Sequence, residues 1–215
     1  MEIKLFRVNH LFITNQCYLV YEHNMGILVD PAWDYKLING FLVDHQIILR
    51  GILLTHAHVD HTNLAQQFAK TYNVPVFISA IEMDTYMFDC LHLKSVSHLQ
   101  KIQIERFSIT PMLTPGHTAG SICYLIDHHL FSGDTIFIEG VGICIDANKM
   151  YDSVQFLKHY LPCDTIFWPG HSFGEAPGKT LAYLLKNNIY FQFENRKHFV
   201  DFRTRKNQPD PFAFS

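Results

Sequence analysis

No stretch of this 215-residue sequence approaches the roughly 20 apolar residues a helix needs to cross a bilayer, so no membrane span is expected. The start, Met1-Glu2-Ile3-Lys4-Leu5-Phe6, has no basic region followed by an apolar core, and a secretory signal is not expected either. Cysteine is sparse and unpatterned. Cys17, Cys90, Cys123, Cys144 and Cys163 are odd in number and show no Cys-x-x-Cys spacing. They read as free thiols in a reducing compartment, not as a disulfide or zinc framework, and a cytoplasmic location is expected. An excess of one charge is also lacking: the net −3 gives no electrostatic case for a nucleic-acid partner. No repeat at a period of roughly 20–50 residues is visible, which removes solenoid architectures. No Gly-x-Ser-x-Gly elbow is present, so serine-hydrolase chemistry has no starting point.

What is present is a chain with 48% hydrophobic content, enough for one well-filled domain. Residues 1–175 are expected to form it, with 176–215 a short extension packed on the same domain. Apolar or alternating runs from Ile3 to Val8, Cys17 to Tyr21 and Gly26 to Val29 predict strands, the last stopped by Asp30-Pro31. Asp34 to His45 predicts a helix with Leu37, Ile38, Phe41 and Leu42 inward. A short strand, Gly51 to Leu54, then a helix from Asn63, and a strand from Pro75 to Ile78 continue the alternation expected of layered α/β packing. Met83, Tyr86, Met87 and Phe88 are expected on the apolar face of a short helix, and Leu91 to Leu99 as a loop. Strands dominate from Lys101 to Phe131, and Tyr151 to Tyr160 is helical again.

The densest chemistry lies in Thr55-His56-Ala57-His58-Val59-Asp60-His61-Thr62. Three imidazoles and a carboxylate fall within six residues on a strand-to-helix turn, where backbone curvature can aim several side chains at one point. Imidazole nitrogen and carboxylate oxygen are ligands for zinc and other borderline first-row ions. The histidines at 10, 23, 45, 92, 98, 128, 129, 159 and 198 sit in no such cluster and are expected to be surface or satisfied core residues.

His-x-His-x-Asp-His resembles the signature of the metallo-β-lactamase superfamily. The resemblance extends along the chain: Thr114-Pro115-Gly116-His117-Thr118, Phe131-Ser132-Gly133-Asp134-Thr135 and Pro169-Gly170-His171 follow in the family's order, each after a β-rich run. It implies an αββα sandwich, two mixed sheets flanked by helices, with seven metal ligands and a supporting Asp30. From the sequence alone Asp30 could equally be a turn carboxylate. His56, His58 and His117 would hold one metal, Asp60, His61 and His171 the second, and Asp134 would bridge. Two Zn²⁺ ions are expected, with iron or manganese as alternatives. Such a pair shares a water and lowers its pKa from about 15.7 towards about 7, so that a metal-bridging hydroxide is available to attack, oriented by Asp60. Thiolate leaves with a pKa near about 8.5 and needs little acid help, which favours thioesters over amides.

The motifs Thr-His-Ala-His-Val-Asp-His, Ser-Gly-Asp-Thr and Pro-Gly-His are similar to the glyoxalase II branch. That branch and the persulfide dioxygenases usually carry Gly-Cys-Gly-Arg after the bridging carboxylate. Here the stretch is Gly140-Val141-Gly142-Ile143-Cys144-Ile145-Asp146, and only 44 residues follow His171, which speaks against glutathione. The region from Ser172 and Phe173 to Arg203, Arg205 and Lys206, with Ile138-Glu139-Gly140 upstream, resembles the zinc-dependent hydrolases of bacterial trans-acyltransferase polyketide clusters. This implies an acyl hydrolase acting on thioesters, with hydroxyacylglutathione hydrolysis and a mononuclear-iron persulfide dioxygenase as alternatives. Pro177 to Gln208 carries seven lysines and arginines against Glu194 and Asp201. That basic segment is a candidate dock for an acidic acyl carrier protein, and could equally be a solvated surface. Ser172, Phe173, Arg203, Arg205 and Lys206 are the candidate substrate contacts.

Overall fold

The computed structural model describes residues 1–206. The first half of the chain builds one sheet from β1 (Glu2–His10), β2 (Ile13–Glu22), β3 (Met25–Val29), β4 (Ile48–Leu53), β5 (Val76–Ser79) and β6 (Leu93–Val96), ordered as in the sequence. The first three are antiparallel hairpin strands; from β3 to β6 the pairing is parallel. Parallel pairs need crossovers, and α1 (Tyr35–Asp44), α2 (Val59–Thr62), α3 (Ala65–Tyr72) and α4 (Ala80–Tyr86) lie in them. The second half gives β7 (Ile102–Ile104), β8 (Phe107–Leu113), β9 (Ile122–Ile126), β10 (His129–Gly133), β11 (Ile166–Pro169) and β12 (Lys179–Thr180). Helix α5 (Ala147–Tyr160) crosses from β10 to its parallel neighbour β11. The chain then runs through α6 (Leu181–Asn187), a 3₁₀ turn (Ile189–Gln192) and α7 (Arg196–Arg203).

The layers follow from where the apolar side chains go. Val20, Ile27 and Leu53 of the first sheet meet Ile109, Tyr124 and Phe131 of the second in one buried cluster between the sheets. The outer face of the first sheet is covered through Ile38, Leu42 and Phe68, and that of the second through Met150, Val154, Leu157, Leu181, Leu184 and Phe199. The result is the expected αββα sandwich. The described part of the C-terminal segment joins the second outer cluster with Tyr190, Phe191 and Phe199. Residues 207–215 of the expected extension, and with them Asn207 and Gln208 of the basic segment, lie outside the described residues.

Three local expectations are corrected. Within Leu91–Leu99, expected as a loop, Leu93–Val96 is an edge strand paired in parallel with β5; Lys94 and Ser95 leave it no apolar alternation to read. The buried residue of α4 is Glu82, while Met87, expected on its apolar face, is exposed beyond the helix end. Helix α5 begins at Ala147, four residues before Tyr151, because Asp146 caps it by accepting from the Asn148 and Lys149 N–H groups.

Candidate metal centre

The seven expected ligands arrive on segments leaving one end of both sheets. His56, His58, Asp60 and His61 follow β4; His117 follows β8; Asp134 follows β10; His171 follows β11. His56 Nε2, His58 Nδ1 and His117 Nε2 stand 3.1–3.3 Å from one another. A tetrahedron of nitrogens about 2.0–2.1 Å from zinc has edges of roughly 3.3–3.4 Å, so the triangle has the size of a ligand face. Across the site, His171 Nε2 is 3.4 Å from both Asp60 Oδ2 and Asp134 Oδ2, and His61 Nε2 is 3.4 Å from Asp134 Oδ1 and 3.7 Å from Asp60 Oδ2. Asp134 also lies 3.7 Å from His117 Nε2, so its two oxygens face both groups. Three overlapping ligand sets result: His56, His58 and His117; His56, His61 and Asp134; Asp60, His61 and His171.

Hydrogen bonds made on the outward side decide which atom each ring presents inward. His61 donates from Nδ1 to Asp30 Oδ2 at 3.0 Å, His117 to the Ile143 carbonyl at 2.7 Å, and His171 to the Thr14 carbonyl at 2.8 Å. The Thr55 hydroxyl donates to Asp30 Oδ2 and therefore accepts from His56 Nδ1. Four rings are thus held with Nε2 facing the cluster by the outward bonds that fix the tautomer and orientation of a metal-ligating histidine. His61 Nε2 and Asp134 Oδ1 are buried with no hydrogen-bond partner among the described residues, a costly arrangement that a cation relieves. The donor set of five imidazoles and two carboxylates fits borderline first-row ions.

Asp30 is buried and holds three donors: the Thr55 N–H, the Thr55 hydroxyl and the His61 ring. It does so from a left-handed backbone, φ 49°, a strained conformation for a non-glycine residue. The structure therefore resolves its two readings in favour of the supporting residue. Gly170 has a different necessity. A Cβ there would lie 2.5 Å from the His61 ring and 2.6 Å from Asp134 Oδ1, so no larger residue lets those two side chains approach.

The field of the site suits a cation. Burial alone would push the His171 imidazole down, yet Asp134, with hydrogen bonds to Asp134, Asp60 and the Thr14 carbonyl, takes it up to about 11. Burial would raise Asp134, but His171 and His61 hold it well below the usual carboxylate range. His56 is pushed far down, by burial first and then by its histidine neighbours, and is neutral at pH 7. Charges that favour a proton on His171 equally favour a divalent ion beside it.

Two features were invisible in the sequence. Glu82, on α4, has 0% exposure; it accepts from the Ala57 N–H at 2.7 Å and the Gly120 N–H at 2.8 Å. It thereby ties the His56–His58 segment to the His117 turn. The second is a cavity of ≈ 580 Å³ opening beside the cluster, lined by His58, Asp60, His117 and Asp134 below and by apolar side chains above. His10, expected as an ordinary surface or core histidine, borders this cavity and stacks on Trp33, ring centroids 4.1 Å apart. The five candidate substrate contacts are not among its lining residues. Ser172 bonds the Gln16 side chain, Phe173 packs on Phe137, and Arg203 donates to the Gly142 carbonyl at 2.8 Å. Arg205 lies over the Phe202 ring, and Lys206 is exposed.

The family model of the metallo-beta-lactamase superfamily matches residues 12–171, a span that holds all seven expected ligands. The chain belongs to this superfamily. Within it, the chain is 43% identical, over 99% of its length and 97% of the relative's, to the probable polyketide biosynthesis zinc-dependent hydrolase BaeB of Bacillus velezensis. It is 42% identical to the probable polyketide biosynthesis zinc-dependent hydrolase PksB of Bacillus subtilis, over 94% of this chain and 92% of that one. A hydroxyacylglutathione hydrolase of Shewanella loihica shares 32% over 81% of this chain and 66% of its own. Among solved structures, a metallo-beta-lactamase from Staphylococcus aureus superposes with a TM-score of 0.87 at 26% identity, covering 99% of this chain and 71% of that one. ETHE1 from Myxococcus xanthus shares the fold with a TM-score of 0.86 at 22% identity, over 98% of this chain and 93% of its own.

Proposed function

We propose that this chain is a metal-dependent hydrolase of polyketide biosynthesis that cleaves acyl thioesters at the seven-ligand site. The convergence of His56, His58 and His117 on one side and Asp60, His61 and His171 on the other, with Asp134 between, is the observation that carries the reading. Near-full-length similarity to the two Bacillus hydrolases supports the pathway. The first three residues would hold one ion and the second three the other, zinc in the first instance. When bound, such a pair supplies hydroxide at neutral pH and polarises a carbonyl.

The chain's own residues position the reaction. Asp60 is half-buried, and its Oδ2 accepts from Asn15 Nδ2 at 3.1 Å, so the carboxylate is aimed before substrate arrives and can orient the attacking oxygen. The leaving thiol departs as thiolate near a pKa of about 8.5 and asks for no proton donor. Similarity over nearly the full length of the two polyketide hydrolases, against two thirds of the hydroxyacylglutathione hydrolase, favours an acyl group delivered on the phosphopantetheine arm of a carrier protein over one delivered on glutathione.

Metal analysis and paired kinetics test this. The purified chain is expected to bind about two zinc ions, to lose hydrolysis on chelation, and to regain it when zinc returns. With one acyl group carried on glutathione and on a phosphopantetheinylated carrier, kcat/KM should favour the carrier. A ratio favouring glutathione places the chain with the hydroxyacylglutathione hydrolases. A single iron with no hydrolysis places it with the persulfide dioxygenases.

A further inference from the structure

The exposed apolar residues of this chain are not spread evenly. Leu11 and Phe12, at the turn between β1 and β2, are 83% and 87% exposed, and Ile143 and Ile145 are exposed on the segment that follows Gly142. Both pairs line the same ≈ 580 Å³ cavity, together with the exposed Val59, and its floor is the metal-ligand cluster. Exposed apolar residues gathered around one opening mark a binding groove, whereas scattered ones need no explanation.

Both walls are tied to the metal centre. On one side the Trp33 indole donates to Asn15 Oδ1 at 2.8 Å, and Asn15 in turn donates to Asp60 Oδ2. The His10 ring at the end of β1 stacks on Trp33 with an interplanar angle of 10°. On the other side the Ile143 carbonyl accepts from His117 Nδ1. The mouth thus keeps a set distance from the reacting atoms.

A thioester has two unlike ends. The pantetheine side carries amides that need hydrogen-bond partners, and the acyl side of a reduced chain carries none. A wall of leucine, phenylalanine and isoleucine gives amides nothing to bond and desolvates methylenes well. We propose that the groove between the Leu11–Phe12 turn and the Ile143–Ile145 segment binds the acyl chain, and that the substrate is a thioester of an apolar, medium-length acyl group whose carbonyl lies over the metal cluster. This rests on the thioester reading above and extends it to the acyl half.

Binding and turnover, measured separately, test it. The first measurement is calorimetric affinity of zinc-loaded protein for non-hydrolysable S-alkyl thioethers of N-acetylcysteamine, from ethyl to octyl. Affinity should rise about three- to fourfold per methylene while the chain stays in the groove, the value of burying one CH₂. In Leu11→Ser/Phe12→Ser, both exposed and so tolerant of change, the slope against chain length should fall towards zero; Ile143→Ser/Ile145→Ser should do the same from the other wall. Affinity independent of chain length, or a slope untouched by both double variants, overturns the groove assignment. Hydrolysis of the matching acyl thioesters is then followed. Chain-length-dependent binding without hydrolysis refutes the proposed reaction and leaves the groove standing; hydrolysis without length dependence does the reverse.

Discussion

A fully buried carboxylate on a helix that looks ordinary in sequence ties together the two loops that carry His56, His58 and His117. Glu82 accepts from two backbone N–H groups, one between His56 and His58 and one in the turn after His117. Glu82→Ala leaves the buried Gly120 N–H and the part-buried Ala57 N–H without their acceptor, at about 1–3 kcal/mol each, so a loss of roughly 2–6 kcal/mol is expected by urea denaturation of the metal-loaded protein. Zinc affinity should fall with it, since the loops holding His56, His58 and His117 are no longer tied together. Glu82→Gln keeps one acceptor and should lose less of both. A variant as stable and as tightly metallated as the parent would show that the two bonds contribute nothing net. Legibility at this scale is uneven for a physical reason. Metal ligands are legible because an ion demands several donors of few types at short spacing, so His56 to His61 are visible as a motif. A residue that acts by accepting N–H bonds, such as Glu82, leaves no spacing behind. Asp30 left its question open for the same reason, and only its three donors answer it.

At the scale of elements, the final helix does more than cover the second sheet. Arg203, in its last turn, donates to the carbonyl of Gly142, just before the isoleucines of the cavity wall. Expected from sequence as a substrate contact, it is not among the cavity's lining residues, and its bond to Gly142 is placed to hold that wall. Arg203→Ala should loosen the Ile143–Ile145 segment and lower kcat/KM for long-chain thioesters by on the order of three- to tenfold, the loss of a charge-assisted hydrogen bond. Zinc content should fall less than in Glu82→Ala, because Arg203 reaches the cluster only through the Gly142–Ile143 backbone that holds His117. An equal loss of bound metal would mean the helix supports the centre itself. The strands were legible where alternation or unbroken apolar runs marked them, as in β2 and β4. Strand β6 was not, because Leu93-Lys94-Ser95-Val96 owes its conformation to pairing with β5. The cavity mouth also escaped the sequence: Leu11-Phe12 sits at a two-residue turn and Ile143 and Ile145 flank a cysteine, and only the fold brings the pairs to one opening.

For the molecule as a whole, the charge of the C-terminal segment is partly spent internally. Arg196 pairs with Asp152, Lys197 with Asp201 and Lys179 with Glu175. Exposed pairs of this kind contribute little to stability, but they reduce what a partner's field can see. Arg205 and Lys206 are exposed at the end of the described chain, after the helix that holds the cavity wall. Reversing these two to glutamate, and leaving Arg203 intact, should raise KM for a carrier-bound substrate roughly tenfold at low salt, with the effect fading as salt screens it. KM for a small N-acetylcysteamine thioester should be unchanged; a carrier KM that also stays put would leave this segment a plain solvated surface. The layered architecture and the superfamily were both legible, because repeated strand-then-helix patterning and a family-specific motif order are properties of the chain itself. Which cations of the segment remain available was not, since that depends on partners such as Asp152, distant in sequence.

Each of the three side-chain groups that could hold a metal draws on segments from both sheets: His117 joins His56 and His58, Asp134 joins His56 and His61, and His171 joins Asp60 and His61. A chain whose described cysteines are all free would thus have, in metal ions held by these groups, a reversible clasp across the open edge of its two halves. On the proposed function, metal supply would govern how long the folded molecule survives as well as whether it reacts, because stripping the ions would unfasten the same seam at which a substrate would be cut.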